Sequence, residues 1–221
     1  MDLHKQLADA KRNIRLVRKL GVRGGTLLDL GANIGEVAIQ CADLFDQIVA
    51  VEAHPSTAAI AIRRIKDKGH CNITVINAVV SNKSGIDYFV SSPSIASTGA
   101  TARLRKRLKA EGYYHTVRSI SLRQLVQQFH PRFIKMDIEG SEWDVLDDDD
   151  LYLWGVEWMA VEFHGITSPA NLIRFSEIKK RLRGWDLHPI NDIESETWSL
   201  ATIVFSSMKR RTKRLPSQQQ K

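Results

Sequence analysis

The stretch from Thr26 to Glu52 constrains the fold of this chain more than any other. Residues Thr26–Leu30 form a short apolar run closed by Gly31, which predicts a buried strand. Apolar residues then recur at helical spacing from Ile34 to Phe45, and Ile48–Val51 predicts a second buried strand. A strand, a glycine turn, a helix and another strand in this order favour an α/β fold with a mostly parallel sheet.

The turn between the first strand and the helix has the features of a ligand site. Gly31 and Gly35 lack a Cβ, so backbone N–H groups at the helix start could approach a ligand closely. Glu52 ends the second strand about twenty residues later, where a carboxylate can accept hydrogen bonds from ribose hydroxyls. The spacing Gly-x-x-x-Gly differs from the dinucleotide fingerprint. Carboxylates at Asp29 and Glu52 suit the sulfonium and ammonium groups of S-adenosylmethionine, whereas a plain structural turn is the alternative interpretation.

Composition indicates one ordinary globular domain. The chain has 221 residues, of which 43% are hydrophobic and 26% charged. No apolar run is long enough to span a bilayer, and the first residues lack the apolar core of a secretory signal. We therefore expect a cytoplasmic protein with no membrane partner, in which residues 1–208 form the domain and 209–221 a disordered tail.

The net charge of +7 comes mostly from that tail. Six Lys or Arg residues lie in 209–221, and without them 26 basic residues face 25 acidic ones. The folded part is therefore nearly neutral, which counts against a general nucleic-acid surface. A second basic run, 102–109, is either a solvated helix face or a contact for an anionic substrate. Nucleic acid remains a partner that these two segments could serve, but not the favoured one.

The remaining elements are predicted from periodicity, capping residues and turn residues. They are an amphipathic helix over 2–20, packed over the sheet edge or the cofactor site; a helix over 56–68 capped by Ser56; a strand over 72–76; a hairpin of 79–81 and 86–90; a loop over 91–101; a strand over 117–120; a helix capped by Ser121 and ending near Phe129; strands over 132–136 and 156–163; helices over 143–146 and 168–182; and closing strands over 186–190 and 198–205.

Three motifs in this order resemble the FkbM family of S-adenosylmethionine-dependent methyltransferases. They are Asp-Leu-Gly-Ala-Asn-Ile-Gly at 29–35, Val-Glu-Ala-His-Pro at 51–55 and Ile-Lys-Met-Asp-Ile-Glu-Gly-Ser-Glu at 134–142, and Val-Glu-Phe-His at 161–164 fits as well. The resemblance implies a Rossmann-like, seven-stranded, mostly parallel sheet with helices on both faces and an antiparallel last strand. It also implies O-methylation of a hydroxyl on a sugar or another small molecule.

The same resemblance assigns the cofactor contacts. It implies that the methionine end is held by Asp29, Gly31, Ala32, Asn33 and Gly35. Glu52 is expected to hold the ribose, with Ala53 and Ala78 near the adenine. Asp137, at the end of the fourth core strand, is expected beside the methyl group and the acceptor.

A hydroxyl acceptor must lose its proton during methyl transfer, so the rim near Asp137 should carry a base. The candidates are Asp137, Glu139, Glu162 and His164. The first two are separated by one residue at the end of the fourth core strand, and the last two are separated by one residue at the end of the neighbouring strand. This cluster could be an acid–base site, or it could hold a divalent ion such as Mg²⁺, although we assign no metal ligand. Glu142 is interpreted only as a carboxylate at a helix start, where the dipole favours negative charge.

Two other functions remain open from the sequence. One is an RNA ribose 2′-O-methyltransferase, in which Lys135, Asp137 and Glu162 would form the acceptor site. The other is a non-catalytic protein that binds the cofactor through the same fold.

Overall fold

The computed structural model describes residues 3–82, 84–92, 95–97, 114–147, 153–189 and 200–207. The helices are α1 (Leu3–Lys19), α2 (Glu36–Gln40), α3 (Pro55–Asp67), α4 (Leu122–Phe129), α5 (Glu142–Leu146) and α6 (Pro169–Arg181). The predicted basic run 102–109 and the tail 209–221 lie outside the described residues. Within the described part of the chain, no helix is long and apolar enough to cross a membrane.

The strands form two sheets. They are β1 (Thr26–Leu30), β2 (Gln47–Glu52), β3 (Ile73–Asn77), β4 (Val79–Ser81), β5 (Gly85–Ser92), β6 (Ile95–Ser97), β7 (Tyr114–Ser121), β8 (Pro131–Met136), β9 (Trp158–His164), β10 (Trp185–Pro189) and β11 (Leu200–Ser207). The main sheet has seven strands in the order β10-β11-β9-β8-β1-β2-β3. Its strands β3, β2, β1, β8 and β9 are parallel, and β11 runs antiparallel to β9. The predicted Rossmann-like fold is confirmed.

Helices cover both faces of the main sheet because alternate strand residues point to opposite sides. On one face, Leu28 and Val49 pack in a core with residues of α4, α5 and α6. On the other face, Leu27 and Ile48 pack with residues of α1 and α2. The N-terminal helix α1 therefore packs on the same face as α2, and its amphipathic pattern predicted that it packs but not on which face.

The predicted hairpin is wrong in its pairing. β4 and β5 do not pair with each other: β4 pairs in parallel with β7, and β5 pairs antiparallel with β7 on its other edge. β6 extends the set to a four-stranded sheet, and its residues were expected in a loop. Periodicity shows that a segment is a strand, but it does not show which distant strand will be its partner.

Two helix boundaries also differ from the prediction. α2 ends at Gln40 rather than near Phe45. The apolar residues after Gln40 lie in turns, where the side-chain amide of Asn72 donates to the carbonyl oxygens of Ala42 and Phe45. α3 is capped by His54, whose Nδ1 accepts from Thr57 N–H, and not by Ser56. The predicted cap of α4 is confirmed, because Ser121 accepts from Gln124 N–H.

A close backbone approach joins β1 to the end of β8. Asp137 N–H donates to Leu30 O at 3.0 Å. Gly31 has φ +75°, and a Cβ built on it would lie 1.7 Å from Asp137 O. Only glycine fits there, since the backbone is left-handed and the space for a side chain is already filled. Gly31 thus brings the β8 end, with Asp137, against the loop that follows β1.

Replacing Gly31 should measure how much the fold depends on this approach. We expect Gly31→Ala to lower the free energy of unfolding by about 2–4 kcal/mol, from left-handed strain plus overpacking. Gly69→Ala is the matched control, because Gly69 has φ +72° with nothing within 4 Å of a built Cβ. It should cost only the strain, about 1–2 kcal/mol. Equal losses in urea denaturation of the two variants would contradict the steric argument.

Candidate active site

A row of buried polar side chains crosses the main sheet on the face that α1 and α2 cover. Asp29 on β1 is the register partner of Lys135 on β8, and Glu162 on β9 is the partner of Thr202 on β11. All four are at least nine-tenths buried. Polar groups are costly in such a place unless they are paired, so the row marks this side of the sheet as functional.

The glycine loop uses its own N–H groups internally. Gly31 and Ala32 both donate to Val51 O, at 2.9 and 3.0 Å, and Gly35 N–H donates to Ala32 O at 2.9 Å. These three N–H groups are therefore bonded within the protein, and the approach of helix-start N–H groups to a ligand stays a prediction. The glycines serve backbone approach, since a Cβ on Gly35 would lie 3.3 Å from that of Ala61.

Glu52 lies where a ribose-binding carboxylate is expected. Its Oε2 accepts from Asn33 N–H and its Oε1 from His54 N–H, both at 2.8 Å. Burial raises the pKa of Glu52, and these two backbone bonds oppose the rise. Each oxygen keeps a further lone pair for a hydroxyl. Asn33 has φ 51°, and its Oδ1 is buried without a hydrogen-bond partner in the described structure. This orphaned acceptor and the carboxylate beside it fit a polar ligand such as a nucleoside.

Asp29 supports the loop from below rather than lining it. It has no exposed surface, and its Oδ1 lies 3.3 Å from Lys135 Nζ. Lys135 Nζ also donates to Gly31 O at 2.9 Å and lies 3.7 Å from Asp137 Oδ2. Burial lowers the pKa of Lys135, but Asp29 and Asp137 outweigh it and raise the pKa overall. The charged ammonium group thus links the loop to Asp137.

The two alanines expected near the adenine differ in position. Ala78 is 1% exposed, belongs to the main core and donates its N–H to Glu52 O. The structure therefore does not support a direct ligand contact for Ala78. Ala53 is partly exposed and packs against Val79 and Val117, so it stays at the rim.

The four predicted catalytic residues come together at the carboxyl ends of β8 and β9. Asp137, Glu162 and His164 each offer one atom within 4.8 Å of the others. Nε2 of His164 lies 3.3 Å from Glu139 Oε2 and 4.0 Å from Asp137 Oδ1. Glu139 has φ 54°, a left-handed backbone that is strained for a glutamate and is found most often at functional sites.

Two members of the cluster were missed in the sequence. Arg12 on α1 forms a salt bridge with Glu162, so the N-terminal helix reaches the site. Glu142, interpreted only as a helix-start carboxylate, is fully buried and accepts from His164 N–H at 2.6 Å. Its other oxygen does accept from Gly140 N–H, at 2.8 Å. No sequence signal identifies these partners, because they lie 150 and 22 residues away along the chain.

The surrounding carboxylates change the protonation of His164. Burial lowers the pKa of this imidazole, but the hydrogen bond and charge of Glu142, with Glu139 and Asp137, raise it to about 9. His164 therefore carries a proton at neutral pH and acts there as a donor. Among the predicted bases, Asp137 and Glu139 both face the cluster with partly exposed carboxylates, and Asp137 is the one that directly adjoins Gly31 of the loop.

Comparison with known proteins identifies the family. The sequence model of the FkbM methyltransferase domain matches residues 29–186, which is most of the chain. The chain belongs to the FkbM methyltransferase family. Its donor is accordingly S-adenosylmethionine.

Individual relatives agree with this assignment. The hexuronic acid methyltransferase AglP of Haloferax volcanii is 29% identical over 170 residues, covering 75% of this chain and 67% of that protein. The FkbM methyltransferase of Methylobacillus flagellatus superposes with a TM-score of 0.50 at 15% identity, covering 83% of this chain and 43% of that one. A Rossmann-superfamily protein of Streptococcus agalactiae gives 0.51 at 14% identity, covering 88% and 67%. At this level of identity, the two solved structures show that they share the fold of this chain.

The charges of the site suit a methyltransferase of this family. Five carboxylates face three cations in the described cluster, namely Asp29, Asp137, Glu139, Glu142 and Glu162 against Arg12, Lys135 and protonated His164. Burial raises the pKa of Asp29 and of Glu162, whereas Asp137 and Glu139 lie at the partly exposed rim, where their carboxylates favour a positively charged ligand. A sulfonium donor is such a ligand, and it loses its charge when its methyl group leaves.

The raised pKa of His164 predicts a pH dependence of stability. The folded pKa of about 9 lies above the ordinary 6.5, so the imidazolium stabilises the fold fully below pH 6.5 and loses this contribution as the pH rises through 9. The contribution amounts to about 3 kcal/mol at most. Urea unfolding of wild type and His164→Gln between pH 6 and 10 isolates it. A difference in unfolding free energy that stays constant with pH would contradict this account.

Proposed function

We propose that this protein transfers a methyl group from S-adenosylmethionine to a hydroxyl of a sugar, with Asp137 as the base. The observation that carries the proposal is the position of Asp137, which ends β8 directly against Gly31 of the loop. Ligands of open α/β sheets bind at the carboxyl ends of the strands, so donor and acceptor would meet there. The hexuronic acid substrate in the name of the Haloferax relative supports a sugar as the acceptor class.

The donor would be held by the loop from Gly31 to Gly35 and by Glu52. The ribose hydroxyls would donate to the carboxylate of Glu52, whose geometry is fixed by the N–H groups of Asn33 and His54. S-adenosylmethionine supplies an electrophilic methyl carbon: the acceptor oxygen bonds to it while the carbon–sulfur bond breaks and its electron pair passes to sulfur. The protein must align the three atoms, which removes much of the entropic barrier.

Asp137 takes the proton of the acceptor hydroxyl as that oxygen attacks. The alternative base, His164, already carries a proton at neutral pH and so donates a hydrogen bond from Nε2. Glu162 is engaged by Arg12 and Glu139 by His164, whereas Asp137 is the carboxylate that lies directly against the loop that would hold the donor. General-base catalysis of this kind contributes roughly two to four powers of ten in rate.

A divalent ion fits this cluster poorly. Asp137, Glu162 and His164 are close enough to share an ion. However, Glu162 is paired with Arg12, and an ion would have to displace the proton that the neighbouring carboxylates stabilise on His164, because a metal ligand must be the neutral imidazole. The proposed reaction therefore uses no metal, and turnover should withstand EDTA.

The RNA alternative receives no support from Lys135. This side chain is 5% exposed and directed at Asp29 and Gly31 O beneath the loop, where an acceptor could not reach it. We therefore do not propose a Lys/Asp/Glu ribose site.

Asp137→Asn tests the proposed base. The change keeps the shape and removes the charge, so turnover should fall by roughly 10²–10⁴-fold while the affinity for S-adenosylhomocysteine changes only a few-fold. Asp144→Asn is the control, since Asp144 lies exposed on the neighbouring helix and pairs with Arg174. The acceptors to assay are methyl glucuronide, methyl galacturonide and the corresponding neutral methyl hexosides.

Three outcomes would contradict the proposal. Near-normal turnover of Asp137→Asn would remove Asp137 as the base. Loss of wild-type turnover in EDTA, restored by Mg²⁺, would assign the chemistry to a metal. Methylation of the uronide carboxylate instead of a hydroxyl, seen as a base-labile ester, would replace the acceptor group and remove the need for a base.

A further inference from the structure

Helix α5 bonds to the backbone N–H, the backbone carbonyl oxygen and the imidazole ring of His164. Glu142 Oε1 accepts from His164 N–H at 2.6 Å and lies 2.9 Å from His164 Nδ1. Trp143 Nε1 donates to His164 O at 2.6 Å. Two consecutive residues of α5 thus fix the position of one histidine at the end of β9.

The same carboxylate also fixes the segment on the other side of the cluster. Glu142 Oε2 accepts from Gly140 N–H at 2.8 Å. Gly140 follows Glu139, whose strained left-handed backbone directs its carboxylate to His164. Glu142 therefore joins the segment after β8, with Asp137 and Glu139, to the end of β9, with His164.

Stabilisation of the start of α5 by a negative charge does not explain why Glu142 is buried. An exposed carboxylate stabilises a helix start without desolvation, whereas Glu142 has no exposed surface. A buried charge costs several kcal/mol unless all its oxygens are bonded, and here every bond goes to His164 or to Gly140. The desolvation cost of burying Glu142 is therefore offset by bonds to residues at the proposed reaction site.

We propose that Glu142 is a positioning residue for methyl transfer, which fixes the Nδ1–H of His164 and so directs Nε2–H toward Glu139 and Asp137, beside which the acceptor oxygen would lie. The inference rests on the proposed function of Asp137 as the base. Nothing in the proposal requires Glu142 to touch the acceptor or the donor.

Charged groups from several elements surround the imidazole of His164. Glu142 faces it from α5, Asp137 and Glu139 from the segment after β8, and Glu162 from β9 itself. Arg12 of α1 and Lys135 of β8 lie behind Glu162 and Asp137. Glu142 bonds to Nδ1 at 2.9 Å, and Glu139 lies 3.3 Å from Nε2. The shorter bond to the buried carboxylate favours the proton on Nδ1 when the ring becomes neutral.

Wild-type protein can be tested without substitution. Nitrogen-15 NMR of histidine-labelled protein bound to S-adenosylhomocysteine reports the tautomer above the titration midpoint. We expect the neutral ring to carry its proton on Nδ1, which is the minor form of free histidine. A neutral ring protonated on Nε2 would overturn the proposal, because Glu142 would then not be accepting from Nδ1.

Glu142→Gln tests the same point by substitution. The amide keeps the size of the side chain but loses the charge, so the titration midpoint of His164 should fall by about one pH unit or more. Affinity for S-adenosylhomocysteine should stay within about threefold, because Glu142 lies at the acceptor end. Glu177→Gln is the matched control, as Glu177 is exposed on α6 and pairs with Lys180; it should leave both quantities unchanged.

The two readouts separate this inference from the proposed function. An unchanged His164 midpoint in Glu142→Gln would overturn the inference even if Asp137→Asn loses turnover. If the glutamine variant fails to fold, the tautomer measurement on wild type decides. A turnover defect in Glu142→Gln accompanied by an unchanged pH profile would indicate a purely structural brace and would also overturn the inference.

Discussion

The site depends on the contact between the backbone of Gly31 and that of Asp137. A side chain at position 31 would overlap Asp137 O, so the loop after β1 and the end of β8 can meet only because that residue is glycine. The hydrogen bond from Asp137 N–H to Leu30 O closes the contact, and Lys135 Nζ, bonded to Gly31 O, reinforces it. Cofactor loop and proposed base are thus parts of one rigid junction.

Around this junction the sheet keeps a buried polar row where an apolar core would be more stable. Lys135 offsets Asp29 and Asp137, and Arg12 offsets Glu162. Such pairs seldom increase stability over apolar residues, so their presence indicates a functional constraint on the α1 face of the sheet. The partly exposed carboxylates of Asp137 and Glu139 suit a sulfonium ligand, and the loss of the sulfonium charge on methyl transfer weakens this attraction.

The sequence predicted the parallel core and the proximity of Asp137, Glu139, Glu162 and His164, because both depend on local signals. Strand β1 was placed at its observed bounds, since an apolar run between glycines leaves little choice. The partners of β4 and β5 were wrong because pairing with β7 is set by contacts distant in sequence. The role of Glu142 was incomplete for the same reason: a helix-start carboxylate and one that binds a distant histidine look alike in sequence.

The central claim is that donor and acceptor meet between the glycine loop and Asp137. It places the ribose of the donor on Glu52 and its sulfur toward the end of β8. A crystal structure of the protein with S-adenosylhomocysteine measures both positions directly. The account predicts ribose hydroxyls bonded to the two carboxylate oxygens of Glu52, and sulfur facing Asp137 with room for one acceptor oxygen between them. A ligand that leaves Glu52 without contact, or whose sulfur faces away from Asp137, would contradict it.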